Sequence, residues 1–301
     1  MTNVMPLPNF LIPGAPKAGT SSMQRWIADH PDALGSIEKE TYFLVDPGTH
    51  MYRPDKHISQ GLSLWHEQFP IPSGASPKVI LESTPAYLYA ETALREVPKL
   101  PTAPKCLFIL REPGAQIHSL YTYFRDNWDW VPSNMSFANF LEHARNKTHD
   151  FKGNELAAHA LEYGSYVDYL EPWAEALGED RLRIATFDQL KADPKSLVRD
   201  ISTWLGLDPT FYDTYAFPKE NETYAPRNKA LQALNVKVRQ SLPKGRLYNA
   251  ARSLYRRLNT TSRALPMDEE AEVLAKLSQS FAPANRRLSA RFNVDLAGWP
   301  V

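Results

Sequence analysis

The sequence predicts an α/β fold in which helices flank a central parallel sheet, beginning with a strand-loop-helix unit similar to a P-loop. Three observations lead to this prediction. The chain has 301 residues, of which 43% are apolar and 23% charged, a composition that can bury a substantial core. Short apolar runs without polar alternation recur along the chain, as is typical of strands buried on both faces. Longer amphipathic stretches separate these runs, as is typical of helices that cover a sheet.

The predicted elements alternate in the order that such a fold requires. The predicted strands are the apolar runs Asn9 to Pro13, Lys78 to Glu82, Lys105 to Leu110 and Arg181 to Phe187. The predicted helices are Thr20 to His30, Thr92 to Leu100, Gly114 to Arg125, Ser136 to Arg145, Tyr166 to Leu177 and Pro194 to Leu205. A last helical stretch, Asp268 to Arg291, is expected to break near Pro283. No low-complexity linker interrupts the series, so residues 1–301 are expected to form one domain.

Composition and motifs exclude several classes of protein. No apolar stretch approaches the roughly 18 to 20 residues of a membrane span, and the first residues lack the pattern of a secretory signal. The single cysteine, Cys106, lies in an apolar run and is interpreted as a core residue rather than a nucleophile. One cysteine excludes an intrachain disulfide, which fits a reducing compartment, and a cytoplasmic location is expected. The eight histidines show no metal-ligand spacing, so no metal site is predicted.

The net charge of zero conceals an uneven distribution of charge. Residues 223–267 contain ten Lys and Arg residues and no acid, so the remainder of the chain carries a charge of −10. A solvated helix face is the expected role of this basic segment, and a helical lid or insertion that meets an anionic ligand or a membrane surface is the alternative. A non-catalytic module that binds nucleic acid or anionic membrane through this segment is a further alternative, although nucleic acid is not the expected partner.

The residues after the first predicted strand predict a phosphate-binding loop. Pro13 to Ser22 reads PGAPKAGTSS and leads directly into a helix, whose first backbone amides point at the loop. Lys17 adds a full positive charge, and the hydroxyl residues at the helix start are expected to serve also as its N-cap. The Walker A pattern fails, because Thr20 follows Gly19 directly and the lysine comes earlier. Neither later strand ends in an aspartate for Mg²⁺, so the loop is interpreted as binding phosphate without a metal, and an ordinary capped turn is the alternative.

A second anion site is predicted at the end of another strand. Arg111 follows the apolar run that ends at Leu110, at the sheet edge where α/β proteins bind ligands. Ser119 stands eight residues further on, within the next predicted helix. An ion pair between Arg111 and Glu112 is the structural alternative.

These two sites together resemble those of the sulfotransferases that use 3′-phosphoadenosine 5′-phosphosulfate (PAPS). Pro16 to Ser22 is similar to their 5′-phosphosulfate loop, and Leu110 to Ser119 is similar to their 3′-phosphate motif. The resemblance implies PAPS as the sulfuryl donor, no metal, and donor binding by Lys17, Ala18, Gly19, Thr20, Ser21, Ser22, Arg111 and Ser119. It also implies one more basic contact to the 3′-phosphate, for which Arg227 is the first candidate and Lys244 to Arg246 the second.

Two further stretches are similar to the carbohydrate branch of this family, which includes the heparan sulfate sulfotransferases. These stretches are Ile37 to Leu44 and Leu81 to Tyr87. In that branch the glutamate that matches Glu40 is the catalytic base. Where the glycan enzymes have a lysine, this chain has Ser83, which weakens the prediction of a sulfated polymer as acceptor. The resemblance therefore implies sulfuryl transfer to a hydroxyl of a carbohydrate or small metabolite.

The catalytic residues expected from this resemblance are Glu40 and Lys17. Lys17 is expected to stabilise the charge on the leaving phosphate, and Glu40 to accept the proton of the acceptor hydroxyl. The apolar residues after Glu40 are expected to desolvate it partly and raise its pKa. A surface acid paired with Lys39 is the alternative reading of Glu40, and His118 is then the next candidate base.

The sequence leaves the acceptor open. The aromatic stretch Tyr121 to Trp130 either lines an acceptor cleft, by stacking on sugar or aryl rings, or belongs to the core. The alternative enzyme is a nucleotide-dependent small-molecule kinase that uses the same loop and requires Mg²⁺ and ATP. The oligomeric state is not predicted.

Overall fold

A five-stranded parallel sheet forms the centre of the molecule, as the sequence predicts. The computed structural model describes residues 6–218, 225–226, 260–261 and 268–301. The strands of the sheet are β1 (Phe10–Gly14), β2 (Ala33–Gly35), β3 (Val79–Glu82), β4 (Lys105–Leu110) and β5 (Leu182–Thr186). They lie in the order β2-β3-β1-β4-β5, and each neighbouring pair is parallel.

Four of these strands agree with the predicted apolar runs, and β2 is the one that the prediction lacks. It consists of three half-buried residues at the edge of the sheet, paired with β3 from Ala33 opposite Val79. A strand so short shows no apolar run in the sequence, so only its partner reveals it.

Helices flank the sheet and connect its strands. They are α1 (Thr20–Ala28), α2 (Ser63–His66), α3 (Glu91–Glu96), α4 (Pro113–Tyr123), α5 (Phe137–Asn146), α6 (Glu155–Ala158), α7 (Ala160–Tyr163), α8 (Tyr166–Leu177), α9 (Phe187–Ala192), α10 (Pro194–Leu205), α11 (Asp268–Ser280) and α12 (Ala282–Phe292).

Several helix boundaries differ from the prediction for local reasons. α3 ends early, and Val97–Lys99 form a 3₁₀ turn that contains a proline. Phe187, predicted to end a strand, instead begins α9, because the side chains of Thr186 and Gln189 form a capping box there. The last helical stretch breaks at Phe281, next to the expected Pro283.

The helix α4 continues into a single π-helical turn, Phe124–Trp128. The turn ends at Asp129, whose backbone is left-handed with φ 55°. Such turns often occur at functional sites, because they redirect side chains at the end of a regular helix. Here the turn sets the directions of the aromatic residues that follow α4.

The topology of the sheet creates a crevice of the kind in which α/β proteins bind ligands. From β1 the chain proceeds to β2 and β3 on one side of it, and then to β4 and β5 on the other. This reversal of direction at β1 leaves a crevice at the carboxyl ends of β1 and β4. The phosphate loop follows β1 and Arg111 follows β4, so both predicted anion sites lie at this crevice.

The basic segment 223–267 is described only at two short strands. Ala225–Pro226 pair antiparallel with Thr260–Thr261. All ten basic residues of the segment, among them Arg227, lie outside the described residues, as do Lys244 to Arg246. Within the described ranges, no helix combines the length and the apolar character that crossing a membrane requires.

Candidate active site

The phosphate loop connects β1 to α1 with glycine at the start of the helix. Gly19 is the N-cap of α1, has φ 88° and makes no side-chain cap. The expected hydroxyl N-cap is therefore wrong, because Thr20, Ser21 and Ser22 already belong to the first turn. No side-chain cap therefore covers this helix N-terminus, which carries the positive end of the helix dipole.

Gly19 also allows the loop to lie close to a neighbouring helix. A Cβ atom at this position would lie 3.1 Å from the ring of Phe187 in α9. Both the left-handed backbone and this close approach favour glycine. Next to it, Ala18 is fully buried. The small residues of the loop thus allow α9 to pack directly against it.

Two side chains from elsewhere in the chain hold the loop by its carbonyl groups. The Arg111 guanidinium donates a hydrogen bond to the Lys17 carbonyl at 3.2 Å, and Gln116 of α4 donates to the Pro16 carbonyl at 3.1 Å. The two predicted anion sites, which lie far apart in the sequence, therefore meet in one place. Gln116, which no sequence motif indicates, connects the loop to the helix that carries Ser119.

The Lys17 ammonium lies inside the site rather than in solvent. It sits 4.0 Å from the centre of the Tyr123 ring, a cation-π contact. Burial, and then the nearby charge of Arg111, lower the pKa of Lys17 to about 8, although the Glu40 carboxylate opposes the shift. Two cations that raise each other's energy form a site that an anionic ligand stabilises.

Arg111 is held at the end of β4 from two sides. Its guanidinium lies 4.9 Å from the centre of the Phe187 ring, and its carbonyl accepts a hydrogen bond from the Tyr166 hydroxyl at 3.0 Å. Glu112, its alternative partner, accepts hydrogen bonds from two amides at the start of α4 and caps that helix. Ser119 lies in α4 and is 5% exposed. The geometry thus joins Arg111 to the loop directly, and Ser119 through α4.

Glu40 lies in an irregular segment between β2 and β3, and its carboxylate interacts electrostatically with Lys17. The Lys39 ammonium donates to its Oε1 atom at 2.6 Å, and the Tyr42 hydroxyl donates to its Oε2 atom. Its side chain is 33% exposed. The predicted alternative, pairing with Lys39, is therefore present, but Glu40 also lies in the field of Lys17.

The expected rise in the pKa of Glu40 is wrong. Burial alone would raise the pKa of this carboxyl group. The charge and hydrogen bond of Lys39, the hydrogen bond of Tyr42 and the charge of Lys17 outweigh burial, and they hold the pKa of Glu40 below its usual range. The apolar residues that follow Glu40 in the sequence indicate desolvation, but they do not reveal that the Tyr42 hydroxyl folds back onto the carboxylate.

The aromatic stretch after Ser119 divides between the two predicted roles. Tyr121 and Phe124 are buried in a core cluster with α5 and α11. The half-buried aromatic residues of the stretch contact one another, and we call them the aromatic wall: Tyr123, Trp128 and Trp130. Trp128 stacks on Trp130 with ring centroids 5.0 Å apart, and its ring meets the edge of Tyr123 at 6.4 Å. The wall adjoins Lys17, because its residue Tyr123 makes the cation-π contact with that lysine.

Other predicted alternatives lie elsewhere. His118, the second candidate base, binds Glu270 of α11 at 2.6 Å. Within the described part of the chain, no cluster of three or more His, Cys, Asp or Glu side chains is arranged to hold a metal ion. Cys106 is fully buried in β4, as expected of a core residue, and burial raises the pKa of its thiol.

The chain is similar to known proteins over most of its length. A family model described as a sulfotransferase domain matches residues 7–246. The bifunctional heparan sulfate N-deacetylase/N-sulfotransferase 4 of Mus musculus is 23% identical over 206 residues, which cover 68% of this chain and 23% of that protein. The corresponding enzyme 2 of Homo sapiens is 26% identical over 208 residues, which cover 67% of this chain and 22% of that protein. The chain thus spans about a quarter of the length of these curated relatives.

A solved structure has the same fold. The crystal structure of a sulfotransferase from Alicyclobacillus acidocaldarius superposes with a TM-score of 0.66 at 20% sequence identity, covering 98% of this chain and 99% of that one. The arrangement of sheet and flanking helices therefore agrees with that of a solved protein over nearly the whole chain.

Proposed function

The chain belongs to the sulfotransferase family, and we propose that it transfers the sulfuryl group of PAPS to a hydroxyl of a carbohydrate or small-molecule acceptor, with Glu40 as general base. The observation that carries this proposal is the hydrogen bond from Arg111 to the Lys17 carbonyl. It unites two cationic anchors at the crevice of the sheet, as a donor with phosphate groups at two positions requires.

The donor fits the residues that surround this crevice. Lys17 and the first amides of α1 would hold the phosphosulfate end, while Arg111 and Ser119 would hold the 3′-phosphate. Bound PAPS supplies a sulfuryl group attached to a phosphate that can leave. Lys17 then stabilises the negative charge that develops on the leaving oxygen. Arg227 remains the proposed third contact to the 3′-phosphate.

Glu40 suits the role of the base because it is ionised at neutral pH. Its lowered pKa keeps the carboxylate free of a proton, ready to accept one from the acceptor hydroxyl. Lys39 and Tyr42 each use one lone pair of the carboxylate, and each oxygen offers a second one. The acceptor can therefore bind Glu40 while both neighbours keep it in place.

The aromatic wall supports an acceptor that carries a ring. Its residue Tyr123 contacts Lys17, and Lys17 interacts electrostatically with Glu40, so we expect a sugar or aryl ring stacked on Tyr123 to lie near the base. The names of the curated relatives describe N-sulfation of heparan sulfate. An amine is thus the second acceptor group to test, and Ser83, in place of a lysine, argues against a polymer with many sulfates.

The donor is tested by calorimetric titration with 3′-phosphoadenosine 5′-phosphate (PAP), compared with ADP plus Mg²⁺. We expect PAP to bind without metal, and Arg111→Ala to abolish its preference over ADP. Arg183→Ala is the matched control, because this arginine also lies 4.9 Å from a ring, that of Trp204, and it extends from β5 outside the site. Tighter binding of ADP with Mg²⁺ than of PAP would contradict the proposed donor.

The acceptor is tested by PAP release in the presence of PAPS and four probe compounds: a neutral sugar, an amino sugar, an aryl alcohol and an aliphatic alcohol. We expect the ring-bearing alcohols to be sulfated faster than the aliphatic one, and Trp128→Ala to remove this difference. Sulfation of the amino sugar alone would replace the hydroxyl with an amine as the acceptor group.

A further inference from the structure

The segment that carries Glu40 has no helix or strand to hold it. Residues 40–44, which we call the Glu40 segment, lie between β2 and β3 and form neither kind of element. Its backbone amides are bound instead by side chains from the residues that end β3 and follow it. The Thr41 amide donates to Glu82 Oε1 at 3.3 Å, and the Tyr42 amide donates to the Thr84 hydroxyl at 3.3 Å.

Further along the segment, the same arrangement continues. The Leu44 amide donates to the Tyr87 hydroxyl at 3.2 Å, and that hydroxyl also meets the Thr41 hydroxyl at 3.2 Å. The Trp65 indole donates to the same Thr41 hydroxyl at 3.3 Å. Tyr87 and Trp65 are completely buried. The segment is therefore fixed by buried polar contacts to residues distant in sequence.

Glu82 is the centre of these contacts. Its Oε1 atom accepts three hydrogen bonds: from the amide of Thr41, from the hydroxyl of Thr41 at 3.0 Å, and from the hydroxyl of Thr84. The side chain has no exposed surface, and its backbone pairs with Leu11 of β1. A buried carboxyl with this many donors on one oxygen controls the position of every group that it binds.

The second oxygen of Glu82 has a different surrounding. Within the described residues, neither Glu82 Oε2 nor the hydroxyl of Ser83 has a hydrogen-bond partner. Burial raises the pKa of Glu82 to about 7, although the hydrogen bonds from Thr84 and Thr41 oppose the shift. The neutral acid is therefore populated at neutral pH, and its Oε1 atom accepts hydrogen bonds in both forms.

We propose that Glu82, acting through Thr41 and Thr84, is a positioning residue that fixes the Glu40 carboxylate for proton transfer. The inference rests on the proposed function, because it requires Glu40 to be the base. Thr41 follows Glu40 directly, and Glu82 holds both its amide and its hydroxyl. A displacement of the Glu40 segment by about 1 Å is enough to lower a rate by about 100-fold.

The test separates turnover from donor binding. Glu82→Met keeps the side chain's length but removes the acceptor oxygen, and we expect kcat to fall by about 100-fold while the Kd for PAP stays unchanged. Glu82→Gln keeps an oxygen that can accept all three hydrogen bonds, so it should retain most of the turnover. A merely structural residue would not produce this rescue together with intact donor binding.

A second pair of variants guards against loss of folding in Glu82→Met. Thr84→Val removes one hydroxyl of the network, and Thr92→Val makes the same change at an equally buried threonine in α3, which lies outside the network. We expect kcat to fall in Thr84→Val and to stay unchanged in Thr92→Val, with thermal unfolding recorded for both.

The outcomes distinguish this inference from the proposed function. Wild-type turnover in a folded Glu82→Met or Thr84→Val variant would overturn the inference. So would a fall in kcat matched by an equal loss of PAP affinity, because Glu82 would then support the sheet rather than Glu40. Wild-type turnover in Glu40→Gln would refute the proposed base independently of any Glu82 variant.

Discussion

The proposed donor side, around the loop that carries Lys17, and the proposed acceptor side, around Glu40, are built in different ways. On the donor side, the loop between β1 and α1 is held by its own regular elements and by hydrogen bonds to main-chain carbonyls from Arg111 and Gln116. On the acceptor side, the Glu40 segment has no regular structure, and side chains such as Glu82 hold its amides. The donor side thus rests on regular elements as well as on side-chain contacts, and the acceptor side on side-chain contacts alone.

The difference has a consequence for the effects of substitution. A strand, a helix start and a glycine turn keep the donor loop in place when one side chain is lost. The Glu40 segment relies on a few buried hydrogen bonds, so one lost acceptor leaves several donors unpaired. Donor-side substitutions should therefore change donor affinity, and acceptor-side substitutions should change turnover with donor affinity intact.

The largest effect is expected for Glu40→Gln, the strongest test of this separation. The amide cannot accept the proton, so kcat should fall by about 10²- to 10⁴-fold, the usual contribution of a general base. The Kd for PAP should stay unchanged, because Glu40 lies on the acceptor side. Steady-state kinetics and calorimetry on the same preparation give both values.

The matched control for this substitution is Glu38→Gln. Glu38 is a carboxylate two residues away that lies near Arg53 at 3.5 Å and Lys56 at 3.8 Å. Its loss should leave kcat close to the wild-type value. Equal losses in both variants would show that the segment needs negative charge rather than a base at Glu40.

A loss of about 10²- to 10³-fold in kcat is expected for Lys17→Ala, because the site loses one preformed hydrogen-bonding group for the leaving oxygen. In contrast to Glu40→Gln, this variant should also bind PAP more weakly, since Lys17 belongs to the donor side. Parallel measurement of kcat and of the Kd for PAP would show whether both values change.

Lys105→Ala provides the control for Lys17→Ala. Lys105 also lies over an aromatic ring, 5.2 Å from the centre of Trp204, but it is at the opposite end of β4 from Arg111. Unchanged PAP affinity in Lys17→Ala would place this ammonium on the acceptor side and break the comparison.

The same contrast explains what the sequence could predict. The loop, Lys17 and Arg111 belong to continuous stretches whose composition indicates anion binding, and the apolar runs around them predict four of the five strands. The roles of Gln116 and Phe187 depend on contacts across the fold, as do the hydrogen bonds of Glu82 to Thr41, and no local pattern indicates such contacts.

The pKa of Glu40 shows most clearly what residue types alone cannot predict. Its sequence neighbours are apolar, and this alone suggests desolvation and a raised pKa. The structure places the Tyr42 hydroxyl and two ammonium groups around the carboxylate, and the shift reverses. Tyr42 has a left-handed backbone with φ 54°, and its hydroxyl reaches Glu40 two residues earlier, neither of which the residue types reveal.

A pH profile provides a smaller but specific test of the donor side. The Lys17 pKa is lowered to about 8, so its ammonium is present below that pH and is lost above it. The value of kcat/KM for PAPS should therefore fall about tenfold per pH unit above about pH 8, since this ratio reports the free enzyme. In Lys17→Arg the charge persists, and this alkaline decline should disappear. An unchanged decline in that variant would assign it to another group.

The smallest effect is expected for Tyr42→Phe, which tests how strongly the Tyr42 hydroxyl stabilises the ionised form of Glu40. The Tyr42 hydroxyl stabilises the ionised form of Glu40, so its loss should raise the pKa of Glu40. Losing this hydrogen bond to the ionised carboxylate should therefore move the acid limb of the kcat/KM profile to higher pH. Tyr52→Phe, in the same connection between β2 and β3, is the matched control and should leave the limb in place. A limb unmoved by Tyr42→Phe would mean that Lys39 and Lys17 alone keep Glu40 ionised, and that the hydrogen bonds of the acceptor side act on its backbone only.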